Sequence, residues 1–141
     1  MFANFNFDDF PFVKVKFAKS VKNEEDFDNF LKHWIILNAQ NKPYSLIFDT
    51  TSIGFISPKY AFKMASFIKK LKNSGKTFLE QSIIIVNNSI IKNLLDLVMS
   101  IQKPVAKVYI VKQHESADKL YQSLRNNDSN INLDNISVFY P

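Results

Sequence analysis

Cysteine is absent from the 141-residue chain, which excludes disulfides, thiol nucleophiles and cysteine-ligated metals. Glycine occurs only at Gly54 and Gly75, too rarely for a glycine-rich phosphate loop, in which several backbone amides must approach the anion closely. Histidine occurs only at His33 and His114, and His33 has no second histidine or carboxylate cluster at metal-ligand spacing. Arginine occurs once, as Arg125, against 17 lysines, so bidentate readout of guanine or phosphate has almost nothing to work with. Nucleic acid is therefore an unfavoured partner. No apolar run approaches the roughly 20 residues that cross a bilayer, and no basic segment followed by an apolar stretch opens the chain, so a soluble cytoplasmic protein is expected.

What is present suits one globular domain. Hydrophobic residues make up 46% and charged residues 22% of the chain, well away from the disordered class, and the length accommodates a single core. The net charge of +5 is uneven: residues 1–58 carry 6 lysines against 7 acids, residues 59–112 carry 10 against 2, and residues 113–141 carry 2 basic residues against 4 acids. A basic middle could attract an anionic membrane surface, although rows of lysine are also the ordinary solvated faces of helices.

Apolar alternation predicts two opening strands, Phe2 to Phe7 and Phe12 to Phe17, paired antiparallel across a turn at Asp8 and Asp9. A first helix is expected to start at Asn23 as cap, with Glu24, Glu25 and Asp26 at the positive end of its dipole. Phe27, Phe30, Leu31, Trp34, Ile35 and Leu37 share its inner face, and His33 falls on the solvent side. The uniformly apolar stretch Tyr44 to Asp49 reads as a strand buried on both faces, with Ser82 to Val86 and Val105 to Val111 as its parallel neighbours.

Helices are expected between these strands. One is capped by Ser57 and closed near Gly75, one runs from Asn88 to Gln102, and one from about Glu115 to Asn126. Alternating strands and helices at this spacing imply right-handed crossovers in one sheet. The result is an α/β domain over residues 1–126 with a mixed sheet of four to six strands and four helices. Residues 127–141 form a polar loop and a tail that either adds an edge strand or drapes over a face.

Phe62 falls on the outer face of the Ser57 helix with Lys59 and Lys63, where it could contact a partner or an anionic lipid surface. The Asn88 helix carries an apolar arc wider than one sheet layer can cover, including Leu95 and Met99. The C-terminal tail, a second copy of the chain or an apolar ligand could cover the excess. Asp49, followed by Thr50 and Thr51, ends a strand where open α/β sheets gather their sites. Without a paired acid or a histidine placed by sequence, Asp49 reads as a loop-capping carboxylate, and Asn87 and Asn88 read as helix caps. An enzyme built on Asp49 is the least favoured reading. No catalytic residue, cofactor or metal is assigned.

The run Tyr44-Ser45-Leu46-Ile47-Phe48-Asp49, followed by Phe55-Ile56-Ser57-Pro58 at a helix start, resembles the STAS domain of anti-sigma-factor antagonists and sulfate transporters. Asn73-Ser74-Gly75-Lys76 and His114-Glu115-Ser116-Ala117 are similar to further features of that family. Lys59 stands at the family's phosphorylatable serine, with Ser57 at the preceding aspartate position, so a phosphorylation switch of the family's type is not implied. A second resemblance, to the CRAL-TRIO lipid-binding fold, is carried by Ile83-Ile84-Ile85-Val86-Asn87-Asn88 and the apolar helix ending at Lys103-Pro104. The first resemblance implies a non-catalytic regulatory module that meets a protein partner through Asp49, Thr50, Thr51, Ser57, Lys59, Phe62 and Lys63. The second implies a binder of a small apolar ligand, or of an anionic membrane surface, using Leu95 and Met99, which would equally serve a homodimer.

Overall fold

The computed structural model describes every residue from Met1 to Pro141. Six strands and four helices follow one another as β1 (Ala3–Asn6), β2 (Phe12–Phe17), α1 (Glu24–Asn38), β3 (Tyr44–Asp49), α2 (Lys59–Asn73), β4 (Leu79–Ile85), α3 (Ser89–Ile101), β5 (Lys107–Val111), α4 (His114–Arg125) and β6 (Ser137–Phe139). The strands form one mixed sheet in the order β1-β2-β3-β4-β5-β6. β2 to β5 are parallel, and the antiparallel β1 and β6 close its two edges. The tail thus supplies the last edge strand.

Each parallel crossover advances the sheet by one strand in the same direction. Crossovers of one hand then place their helices on one face, and α1, α2 and α3 do share a face. Their inner residues pack with Val13, Val15, Leu46, Phe48, Ile84 and Val108 in the larger core. α4 leads into an antiparallel strand and lies on the opposite face, where Ala117, Leu120 and Tyr121 cover Phe12, Ile47, Ile83 and Tyr109. β3 is buried because both faces are covered, as its unbroken apolar sequence requires.

Local chemistry explains the element ends. Asn23 accepts from the Asp26 amide at 2.9 Å, and three acids occupy the first turn of α1. α2 closes on Gly75, whose φ of 76° is a left-handed cap conformation. Phe17 meets Phe30 nearly edge-on at 5.1 Å, in an aromatic cluster that also holds Phe2, Phe27, Trp34 and Phe48.

Four expectations need correction. The neighbours of β3 are β2 and β4, with β5 one place further out, because the antiparallel β1 leaves the other side of β2 free to pair with β3. Ile35 is 51% exposed, since α1 meets the sheet along the narrower line of Phe27, Phe30, Trp34 and Leu37. α2 begins at Lys59 rather than on a Ser57 side-chain cap. The Ser57 carbonyl takes the first turn bond from Tyr60 at 3.1 Å, while its hydroxyl stands 3.5 Å from the Lys59 amide. The tail packs Ile131, Ile136 and Val138 against the α4 core and turns Phe139 alone toward the larger core, so most of the wide arc of α3 is not covered by it.

Candidate functional site

The carboxyl ends of β3, β4 and β5 gather the polar side chains singled out in the sequence. Asp49 ends β3 on the face that α4 covers. One of its carboxylate oxygens accepts from the Thr51 amide at 3.0 Å and the Thr51 hydroxyl at 2.6 Å. The other meets His114 Nε2 at 2.9 Å. Burial alone would raise the Asp49 carboxyl, but the bonds from Thr51 and His114 outweigh it and hold the group below its ordinary value. The loop-capping role expected of Asp49 is present, and a histidine is added to it. His33 is exposed as expected, bonded through Nδ1 to the Asn29 carbonyl and stacked on Phe5.

The loop from Thr50 to Pro58 is held from three sides. Thr50 is buried and donates its hydroxyl to the Ile85 carbonyl at 2.6 Å, so it anchors the loop from within and is not available to a partner. The Gly54 amide donates to the Lys19 carbonyl at 2.9 Å. Asn88 caps α3 by accepting from the Ile91 amide at 2.9 Å and reaches back to the Ile53 carbonyl at 3.4 Å. Ile53 and Ile56 turn inward, whereas Phe55 is 64% exposed.

Phe62, one turn into α2, is 57% exposed as expected. Lys59 and Lys63 are not free cations. Lys59 lies 3.4 Å from Glu24, while Lys63 lies 2.6 Å from Asp28 and 3.7 Å from Glu24. The hydrogen bond to Asp28 holds the Lys63 ammonium above its ordinary value. These two lysines tie α2 to α1, which corrects the picture of Phe62 standing in an open cationic patch.

Two depressions adjoin this region. A polar cleft of about 680 Å³ opens between the ends of β4 and β5, lined by Thr51, Asn87, Asn88, Lys92, Lys112 and His114. It lies where α3 leaves the sheet toward one face and α4 toward the other, the switch point of an open α/β sheet. The second depression is an apolar cavity of about 130 Å³ between the sheet and the three helices, and Leu95 and Met99 line it together with Ala61, Phe48, Ile84 and Val98.

The Asp49–His114 pair lacks the third member of a nucleophilic arrangement, because the nearby Thr51 hydroxyl donates to Asp49 and not to the imidazole. No group of three or more histidine or acidic side chains stands close enough to hold a metal ion. No helix is long and apolar enough to cross a membrane. Sequence reasoning missed His114, which meets Asp49 only through the fold, and the exposure of Phe55. A large aromatic directly after Gly54, between Ile53 and Ile56 in a short loop, was the available signal for Phe55. No protein-family model matches this chain, and no curated protein matches it.

Proposed function

We propose that this chain is a non-catalytic, STAS-like binding module of the cytoplasm that engages a protein partner through the loop from Thr50 to Pro58 and the start of α2. The observation that carries this reading is the paired exposure of Phe55 and Phe62 on a loop and helix that are otherwise pinned. Aromatic side chains presented on a rigid support lose little conformational freedom on docking and bury a large area, which is the character of interface anchors. Thr51 and Ser57 add polar groups at the rim, while Asp49 holds the loop's shape. With Lys59 and Lys63 already paired to acids of α1, apolar anchoring outweighs charge in this surface.

The test is a double substitution, Phe55→Asp with Phe62→Asp, followed by recovery of cross-linked partners from host lysate. Both side chains are mostly solvent-exposed, so circular dichroism and the melting temperature should stay close to wild type. A protein recovered by the wild type and lost by the variant supports the surface, and unchanged recovery removes it. Lys63→Glu is the wrong probe, because it would set a third carboxylate beside Glu24 and Asp28 and loosen α2 itself.

A further inference from the structure

The geometry points to the apolar cavity beneath α3 as a binding site for one small apolar molecule, about the size of a six-membered ring. The lining is almost wholly hydrocarbon. Its hydroxyl-bearing members are Thr50, whose hydroxyl is spent on the Ile85 carbonyl, Tyr60 and Ser82, and no buried side-chain nitrogen or oxygen in the protein lacks a hydrogen-bond partner. A water inside would meet few polar partners, so an occupant needs no polar group in its buried part. An engineered apolar cavity of about 150 Å³ takes up benzene, which sets the scale for one of about 130 Å³.

The protein does not fill this space itself. In the C-terminal tail Ile131, Ile136 and Val138 pack on the opposite face of the sheet, Phe139 turns to the larger core without lining the space, and only Ile91 and Val98 of the strongly apolar α3 are fully buried. Six lining residues are half-buried, Leu79 and Val105 at the sheet and the four Met64, Leu94, Leu95 and Met99 on α2 and α3, which flank the side that communicates with solvent. Two of the four are methionines, whose unbranched side chains can move aside and close over an entering molecule. Ala61, Phe48 and Val98 form its buried wall, and at about 130 Å³ the space is too small to admit a folded protein segment. The site stands independently of the partner surface, since it uses the inner face of α2 and not Phe55 or Phe62.

The test titrates benzene into full-length protein labelled at its methyl groups and follows the spectrum by NMR. Saturable shifts are expected at Leu95, Met99, Ile84 and Val98, with direct benzene-to-methyl Overhauser contacts, and none at the exposed Ile35 and Ile36. Ala61→Leu, which extends a fully buried side chain into the space, should abolish the contacts while the fold is kept. If Ala61→Leu does not fold, Met99→Ala decides the matter: the enlarged space should bind benzene or the larger toluene at least threefold more tightly than wild type. Shifts that do not saturate, that are as large at Ile35 and Ile36, that persist in folded Ala61→Leu, or that are unaffected by Met99→Ala would overturn the site.

Discussion

The Asp49 carboxylate and the His114 imidazole meet at 2.9 Å although they stand 65 positions apart, one ending β3 and the other opening α4. The contact joins the sheet to the single helix on its second face, beside the polar cleft. Because Asp49 also accepts two bonds from Thr51, its charged form is the one the folded protein favours.

The sign of the resulting pH dependence follows from that preference. A carboxyl held below its ordinary 3.8 in the folded state binds its proton less tightly than in the unfolded chain. Its stabilising contribution is complete above that value and is lost as pH falls through the lower folded one. Asp49→Ala should therefore cost about 1 to 2 kcal/mol near neutral pH, and the deficit should narrow at acid pH below 3.8. Urea unfolding of both proteins at the two pH values checks this, and an equal deficit at both would contradict the charge-based account.

Tyr44 gives the opposite slope. Burial pushes its hydroxyl up to about 12 from 10.0, against the weaker opposing effect of the bond from Trp34. The neutral phenol is favoured in the folded state, so this contribution is intact below pH 10.0 and declines as pH rises toward 12. The hydroxyl also accepts from Trp34 Nε1 at 3.0 Å and donates to Asn38 at 3.1 Å. Tyr44→Phe strands the buried indole N–H and should cost about 1 to 3 kcal/mol, with the alkaline decline flattened; denaturation followed from neutral to alkaline pH reads both.

Asn88 links two elements with one side chain. Asn88→Ala removes the α3 cap and should cost about 1 kcal/mol in denaturant midpoint. The same change frees the Ile53 carbonyl, so amide exchange should quicken in the Thr50 to Ile56 loop as well as in the first turn of α3. Faster exchange in α3 alone would show that the 3.4 Å bond to Ile53 carries no restraint.

The two glycines should respond differently to alanine. At Gly75 no atom lies within 4 Å of an added Cβ, yet the backbone sits at φ +76°, so Gly75→Ala should cost about 1 kcal/mol through conformation alone. At Gly54 the nearest atom is Lys19 Cγ at 3.9 Å and no unusual φ is imposed, so Gly54→Ala should stay within about 0.5 kcal/mol of wild type. Thermal melts of both variants separate strain from space.

Much of the architecture was written in local chemistry. The strands Phe12–Phe17 and Tyr44–Asp49 coincide with their alternating and uniform apolar runs, and Asn23, Asn88 and Gly75 mark helix ends because capping needs only atoms within a few residues. The exposure of Phe62 followed from helical periodicity. Tertiary structure decided what depends on separation in sequence. The order of the strands, the face taken by α4 and the tail, the ion pairs that bind Lys59 and Lys63 to α1, and the approach of His114 to Asp49 all arise when crossovers set distant segments side by side. The wide apolar arc of α3 was visible in its sequence, but its periodicity could not say what would lie beneath it. Only the packing of three helices on one sheet face left a cavity there.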